Sequence, residues 1–137
     1  MGLYLCVFDG DDELDGVEVG SYADFDIFRE AVAAVVEGGD VGTVCPVLNT
    51  HADSDGEWTA QEAHRLLAEL AQITEVMSQH PPVEFNSEWK RDVAKTFGLS
   101  PKTLLDCFFD IDGEPLVARL SGLAQLSASS GKSILFQ

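Results

Sequence analysis

The stretch TAQEAHRLLAELAQITEVM, residues 59–77, contains the clearest helix of the sequence. Thr59 and Glu62 have the spacing of a capping box, in which the hydroxyl and the carboxylate each accept a backbone amide at the start of a helix. Apolar residues then recur every three or four positions, at Ala63, Leu66, Leu67, Leu70, Ile73 and Met77. The pattern predicts a long amphipathic helix that ends before His80-Pro81-Pro82.

On both sides of this helix the sequence alternates irregularly between strand and helix patterns. Short apolar runs predict strands at 2–8, 17–22, 43–48, 107–111 and 134–136. Helical spacing predicts three further helices, from Ser21 or Asp24 to Gly38-Gly39, from Asn86 or Ser87 to Gly98, and from Pro115 to Ser129. In the second of these, Trp89, Val93 and Phe97 are expected to face inward. A helical turn is expected to restart at Ser100-Pro101. This order favours an α+β fold, with a small mainly antiparallel or mixed sheet packed with three to four helices.

The size and composition of the chain predict a single folded domain over residues 1–137. A chain of 137 residues is within the usual range for one domain, and 45% hydrophobic residues are enough for a core. Cys6, Cys45 and Cys107 lie far apart among apolar neighbours, which is typical of buried free thiols. With no basic leader and no long apolar run at the start, we expect a cytoplasmic protein.

The charge of the chain is strongly negative and unevenly distributed. Eight basic and 24 acidic residues give a net charge of -16. Residues 1–57 hold 14 of the acids and a single base, Arg29. Such a field repels phosphate backbones and anionic membranes, so we expect neither nucleic acid nor a membrane as partner. It attracts cationic proteins and accelerates their association, which predicts a binding protein for a basic partner.

Residues 51–62 resemble an EF-hand loop and leave a calcium-binding or regulatory module as the alternative. Asp53, Asp55 and Glu62 occupy oxygen-ligand positions of that loop, and Gly56 occupies the position of its sharp turn. The first position is His51, which is a poor ligand for calcium, and Glu62 is also the predicted capping residue of the helix. We therefore expect an acidic loop that leads into a capped helix, with no metal and no cofactor.

Motifs for catalysis and for DNA recognition are weak. Residues 93–104 resemble a helix-turn-helix, but the residues after Lys102 are mainly apolar and belong in a core rather than in a DNA groove. Gly131-Lys132-Ser133 matches the end of a P-loop without its earlier glycine. No metalloprotease, Cys-x-x-Cys or nucleophile-elbow motif occurs in the sequence. We expect a protein that is not an enzyme.

Two acidic loops, Asp9–Asp15 and His51–Trp58, are the candidate contact surface. Both follow predicted strands, so one edge of a sheet could present them together. Trp58 adds a large aromatic side chain that would suit an interface anchor, although it could equally pack the start of its helix into the core. The predicted partner-binding residues are Asp9, Asp11, Asp12, Glu13, Asp15, Asp53, Asp55, Glu57 and Trp58.

Several segments together resemble a known family. The opening strand with DGVEVGSYADF (15–25), the central HADSDGEWTAQEA (51–63) and the closing DGEPLVARLSGLAQL (112–126) with SILFQ (133–137) are similar to the small acidic immunity proteins of bacterial polymorphic or contact-dependent toxin systems. The resemblance implies a cytoplasmic inhibitor that binds one cognate toxin domain without catalysis. It assigns no contact residues and no oligomeric state. A gene for a secreted toxin immediately upstream would support it.

Overall fold

The structure, a computed structural model, describes residues 2–51, 56–85 and 87–137. In this part of the chain four strands form one antiparallel sheet in the order β2-β1-β4-β3, and five helices accompany it. The strands are β1 (Gly2–Asp9), β2 (Asp12–Ser21), β3 (Glu57–Trp58) and β4 (Ile134–Phe136). The helices are α1 (Tyr22–Val35), α2 (Pro46–Thr50), α3 (Ala60–Met77), α4 (Glu88–Phe97) and α5 (Leu116–Ser130). The predicted α+β class is confirmed, with one helix more than expected.

The hydrophobic core lies between one face of the sheet and the helices. Alternate residues of β1, namely Leu3, Leu5 and Val7, are almost completely buried and belong to the same cluster as buried residues of α1, α3 and α5. Successive side chains of a strand point to opposite faces, so the residues between them point away from this core. The sheet therefore has an inner face against the helices and an outer face on the opposite side.

The strands predicted at 2–8 and 17–22 are present as β1 and β2, which pair as a hairpin, and β2 begins earlier than predicted, at Asp12. The two-residue turn of the hairpin is Gly10-Asp11, and Gly10 has a φ of 65° while Asp11 has a negative φ, as in a type II′ turn. The pairing shifts register twice, because Leu14 and Val19 of β2 are extra residues relative to β1. β1 itself remains regular, so its alternation between the two faces is preserved along the whole strand.

The two long helices with predicted caps begin where the sequence indicated. Ser21 caps α1, with its hydroxyl accepting the Asp24 amide at 3.1 Å and the Asp24 carboxylate accepting the Ser21 amide at 3.0 Å. Thr59 and Glu62 make the same reciprocal pair at the start of α3. Both capping boxes involve residues within one turn, which explains why the box at Thr59 could be predicted from local sequence. At α1, where the sequence left Ser21 and Asp24 open as caps, the cap is Ser21.

The strand predicted at 43–48 is wrong, because the structure has a helix there. Pro46 is the first residue of α2, a position where its fixed φ and missing amide hydrogen favour a helix. The buried amides at this helix start have no acceptor within the helix and donate instead to Glu69 of α3, from Val47 at 3.1 Å and from Leu48 at 3.0 Å. A tertiary contact thus decides the local conformation.

The strand predicted at 107–111 is also wrong, since a 3-10 turn spans Leu105–Cys107 and a single bridge joins Phe109 to Pro115. The Asp106 carboxylate accepts the amides of Lys102 and Thr103, which stabilises the turn. Residues 99–104 form no helix, so the helix-turn-helix pattern is not realised.

The orientation predicted for α4 is wrong as well. Phe97 is 55% exposed, and the buried residues of the helix are Lys90 and Ala94. The Lys90 ammonium lies 4.9 Å from the centre of the Phe108 ring, a cation–π contact that directs this side of the helix inward. The Trp89 indole donates to the Asp24 carboxylate at 2.8 Å and lies at the rim of the core.

Among the described residues, no helix combines the length and the apolar character that crossing a bilayer requires.

Candidate functional site

The β1–β2 hairpin brings together five of the predicted partner-binding acids. Asp9 ends β1, Asp11 lies in the turn, and Asp12, Glu13 and Asp15 follow on β2. All except Asp15, which is half-buried, are exposed. The hairpin therefore presents a compact group of carboxylates to the solvent.

These five acids differ in whether their carboxylates already contact other side chains of the protein. Glu13 accepts the Tyr4 hydroxyl at 2.6 Å, and Asp15 lies 3.5 Å from the Arg119 guanidinium. Asp9 is 3.5 Å from the Lys132 ammonium, but both side chains are largely solvated and such pairs contribute little. Among the described residues, the side chains of Asp11 and Asp12 have no hydrogen-bond or ion-pair partner. These two carboxylates are the most available to a binding partner.

Glu57, from the second predicted loop, does not lie beside the hairpin turn as expected. Glu57 is exposed on β3, the strand at the opposite edge from β2, and it aligns with Leu135 of β4. The strand that should have preceded this loop is the helix α2. Asp53 and Asp55 lie outside the described residues, so their predicted role stays a prediction.

Trp58 is a core residue, which is the second of the two interpretations that the sequence left open. Its exposed fraction is 0%, and its indole nitrogen donates to the Val47 carbonyl at 3.0 Å. Its ring meets that of Phe136 edge-on, with centroids 4.7 Å apart. Because the side chain has no accessible surface, it cannot act as an exposed anchor in this conformation.

The outer face of the sheet is a surface that the sequence analysis did not identify. It consists of Tyr4, Cys6 and Phe8 of β1, Glu13 and Glu18 of β2, Leu135 of β4 and Glu57 of β3. Tyr4, Phe8 and Leu135 are half-buried, yet none of them packs against the hydrophobic core. The sequence GLYLCVF did not indicate this surface, because continuous apolar residues are typical of a strand that is buried on both faces.

Tyr4 is held in a fixed position on the outer face. The hydrogen bond to Glu13, then burial and the negative charges nearby, raise the pKa of Tyr4 to about 12, so the phenol stays neutral. The ring lies directly over Gly16, where a Cβ would be 2.0 Å from the phenol oxygen. Cys6 lies beneath this surface with an exposed fraction of 0%, and burial raises the pKa of its thiol. The Tyr4 ring is therefore held in place, and the raised pKa values keep the Tyr4 phenol and the Cys6 thiol protonated at neutral pH.

The described residues contain no group of His, Cys, Asp or Glu arranged to hold a metal ion. In the EF-hand-like segment, Glu62 accepts the Thr59 amide at 3.1 Å, and the His51 ring stacks on Phe136 with centroids 4.2 Å apart. The first and last positions of the loop are thus engaged in packing and capping. The calcium alternative has no support in these contacts.

These features define a small acidic α+β protein with an acidic hairpin and an open sheet face, and comparison with known proteins assigns its family. The family model Immunity protein 70 matches residues 3–136. The chain belongs to the Immunity protein 70 family. Immunity proteins in general neutralise toxins and are not enzymes. No curated protein and no solved structure matches the chain significantly.

Proposed function

We propose that this protein binds one cognate toxin domain stoichiometrically and thereby blocks it, acting in the cytoplasm of the bacterium that makes the toxin. Membership of an immunity family supports the toxin as partner. Three buried free cysteines suit a reducing compartment. The inhibitor needs no catalytic activity, since covering the surface through which the toxin acts is sufficient.

The observation that carries the proposal is the segregation of charge on the sheet. The four strands contain six acidic residues and no Lys or Arg. All eight bases of the chain lie on helices and loops. A cationic toxin domain would therefore meet its strongest attraction at the sheet and the hairpin, although Arg119 and Lys132 each lie 3.5 Å from a hairpin carboxylate and offset part of it.

Co-expression and titration test the proposal with the toxin domain encoded immediately upstream. The immunity protein should restore growth to cells that express the toxin, and the purified proteins should form a one-to-one complex by light scattering after size exclusion. A toxin that stays active when saturated with this protein would contradict the proposal.

Charge reversal on the hairpin should slow the association. In the double variant Asp11→Lys/Asp12→Lys, the association rate at low ionic strength should fall about tenfold or more, since steering raises such rates by about 10 to 1,000 times. Stopped-flow fluorescence at two salt concentrations measures this, and the defect should shrink in high salt because salt screens exposed charges.

Glu30→Lys/Glu75→Lys is the matched control, because both residues are exposed acids on helices without a side-chain partner among the described residues. It reverses the same number of charges at a distance from the hairpin. Equal slowing in both double variants would show that only the net charge of the protein matters.

A further inference from the structure

The outer face combines an apolar centre with acids on both sides. The sheet order places Tyr4, Cys6 and Phe8 on β1 beside Leu135 on β4, in the middle of the sheet. Glu13 and Glu18 flank this centre on β2. On the other side, Glu57 flanks it on β3. With neighbouring strands about 4.8 Å apart, the four strands cover a width of about 15 Å, which is enough for the centre of a protein interface.

We propose that this outer face is the surface that grips the toxin domain, and that the toxin presents an apolar side chain surrounded by Arg or Lys. The inference rests on the proposed function and assigns its contact surface. A buried apolar centre within a polar rim is the usual arrangement of a tight interface, in which a few central residues provide most of the binding energy.

Charge selects a cationic protein as the occupant. If a second copy of this chain covered the face, Glu13, Glu18 and Glu57 would meet the same acids of the other copy, and like charges destabilise an interface. An Arg-rich surface would instead place positive charges opposite these glutamates. Arginine pairs with carboxylates through two parallel hydrogen bonds and also stacks on aromatic rings such as those of Tyr4 and Phe8.

The contacts along β2 disfavour another common way of binding to a sheet, the addition of a strand, at this edge. At the exposed edge of β2, Arg119 donates to the Gly16 carbonyl at 2.7 Å, and the Ile111 amide donates to the Glu18 carbonyl at 3.2 Å. These contacts occupy the groups that an added strand would need. The partner therefore meets the face of the sheet rather than this edge.

The outer face is also prepared for binding before the partner arrives. Tyr4 is held between Gly16 and the Glu13 carboxylate, so ordering its side chain upon binding requires little further loss of freedom. Gly16 is necessary for this arrangement, because any Cβ at that position would collide with the phenol. A fixed aromatic side chain is well suited to an interface anchor.

Paired substitutions compare the outer face with an exposed aromatic side chain on α4, Phe97. Phe8→Arg should weaken binding of the upstream-encoded toxin domain about 30-fold or more, as expected for a central interface residue. Phe97→Arg, on the exposed side of α4, should change the dissociation constant less than about threefold. Biolayer interferometry measures both, and circular dichroism confirms that each variant is folded.

A second pair tests the acidic rim without touching the apolar centre, in case Phe8→Arg does not fold. Glu18→Lys/Glu57→Lys should weaken binding about tenfold or more, and the helix-surface double variant Glu30→Lys/Glu75→Lys should not. If the wild-type protein fails to bind the toxin, the proposed function itself fails. If the wild-type protein binds and the outer-face variants bind equally well, the function stands and this surface is wrong. If Phe8→Arg converts a dimer into a monomer, the face is a self-interface and the inference is overturned.

Discussion

Replacing Trp58 with alanine should lower the free energy of unfolding by about 3–5 kcal/mol, the range for removing a large aromatic side chain from a core. The side chain is fully buried between Phe136 and the α2 region, and its indole is hydrogen-bonded to the Val47 carbonyl. Its loss leaves a cavity and an unpaired carbonyl together. Urea denaturation followed by circular dichroism measures the change.

Two further variants separate a core role from an interface role. Trp58→Phe keeps a ring against Phe136 and loses the hydrogen bond, so it should retain much of the stability while binding the toxin as the wild-type protein does. Trp89→Ala removes a half-buried indole and should destabilise less than Trp58→Ala. A stable Trp58→Ala protein that no longer binds the toxin would show that Trp58 is an anchor after all.

Two buried carboxylates around α2 should give opposite pH dependences of stability. Burial by itself raises the pKa of Glu37, but hydrogen bonds from the Cys45 and Val44 amides and the Asn49 side chain outweigh it and lower the pKa below its ordinary 4.5. Burial raises the pKa of Glu69 above 4.5, despite hydrogen bonds from the amides of Leu48 and Val47.

The signs follow from linkage between protonation and folding. The ionised Glu37 contributes stability that is fully present above pH 4.5 and is lost as pH falls through its lowered pKa. The ionised Glu69 opposes folding at pH values above its raised pKa. This opposition is relieved as pH falls from that pKa toward 4.5. The free energy of unfolding of the wild-type protein should therefore fall in acid relative to that of Glu37→Gln. Relative to that of Glu69→Gln, it should rise in acid.

At neutral pH, Glu37→Gln should destabilise the protein by about 2–3 kcal/mol, because a neutral amide replaces a charged acceptor of several hydrogen bonds. Urea denaturation of the wild-type protein and both variants between pH 7 and pH 3.5 measures the differences. Glu75→Gln, an exposed acid on α3, is the control and should show no such slope. Parallel slopes for the two buried variants would contradict the assigned pKa directions.

The elements that could be predicted from the sequence are those whose determinants are local. The capping box at Thr59 involves residues three positions apart and was predicted, and for α1 the cap is Ser21, one of the two residues that the sequence left open. The helix α2 could not be predicted, because Glu69, which accepts its amides, lies more than 20 residues away in sequence. The inward face of α4 depends in the same way on the distant Phe108, which receives the buried Lys90.

The features of the candidate site could likewise be predicted only where their determinants are local. The hairpin acids follow each other in sequence, so their proximity could be predicted. Whether Trp58 faces the core depends on β3 pairing with β4, a contact that brings residue 58 next to residue 134. The outer face likewise combines strands from both ends of the chain, and no local pattern distinguishes Phe8 on that face from Val7 on the inner one.

Hydroxyl-radical footprinting of the complex with the toxin domain tests the central claim most directly, because it reports which side chains the partner covers. We predict that Tyr4, Phe8 and Leu135 become protected from oxidation in the complex, while Val83 and Phe97, which are 57% and 55% exposed, react as in the free protein. Protection of Val83 and Phe97 with unchanged oxidation of Tyr4 and Phe8 would contradict the claim that the acidic sheet holds the toxin.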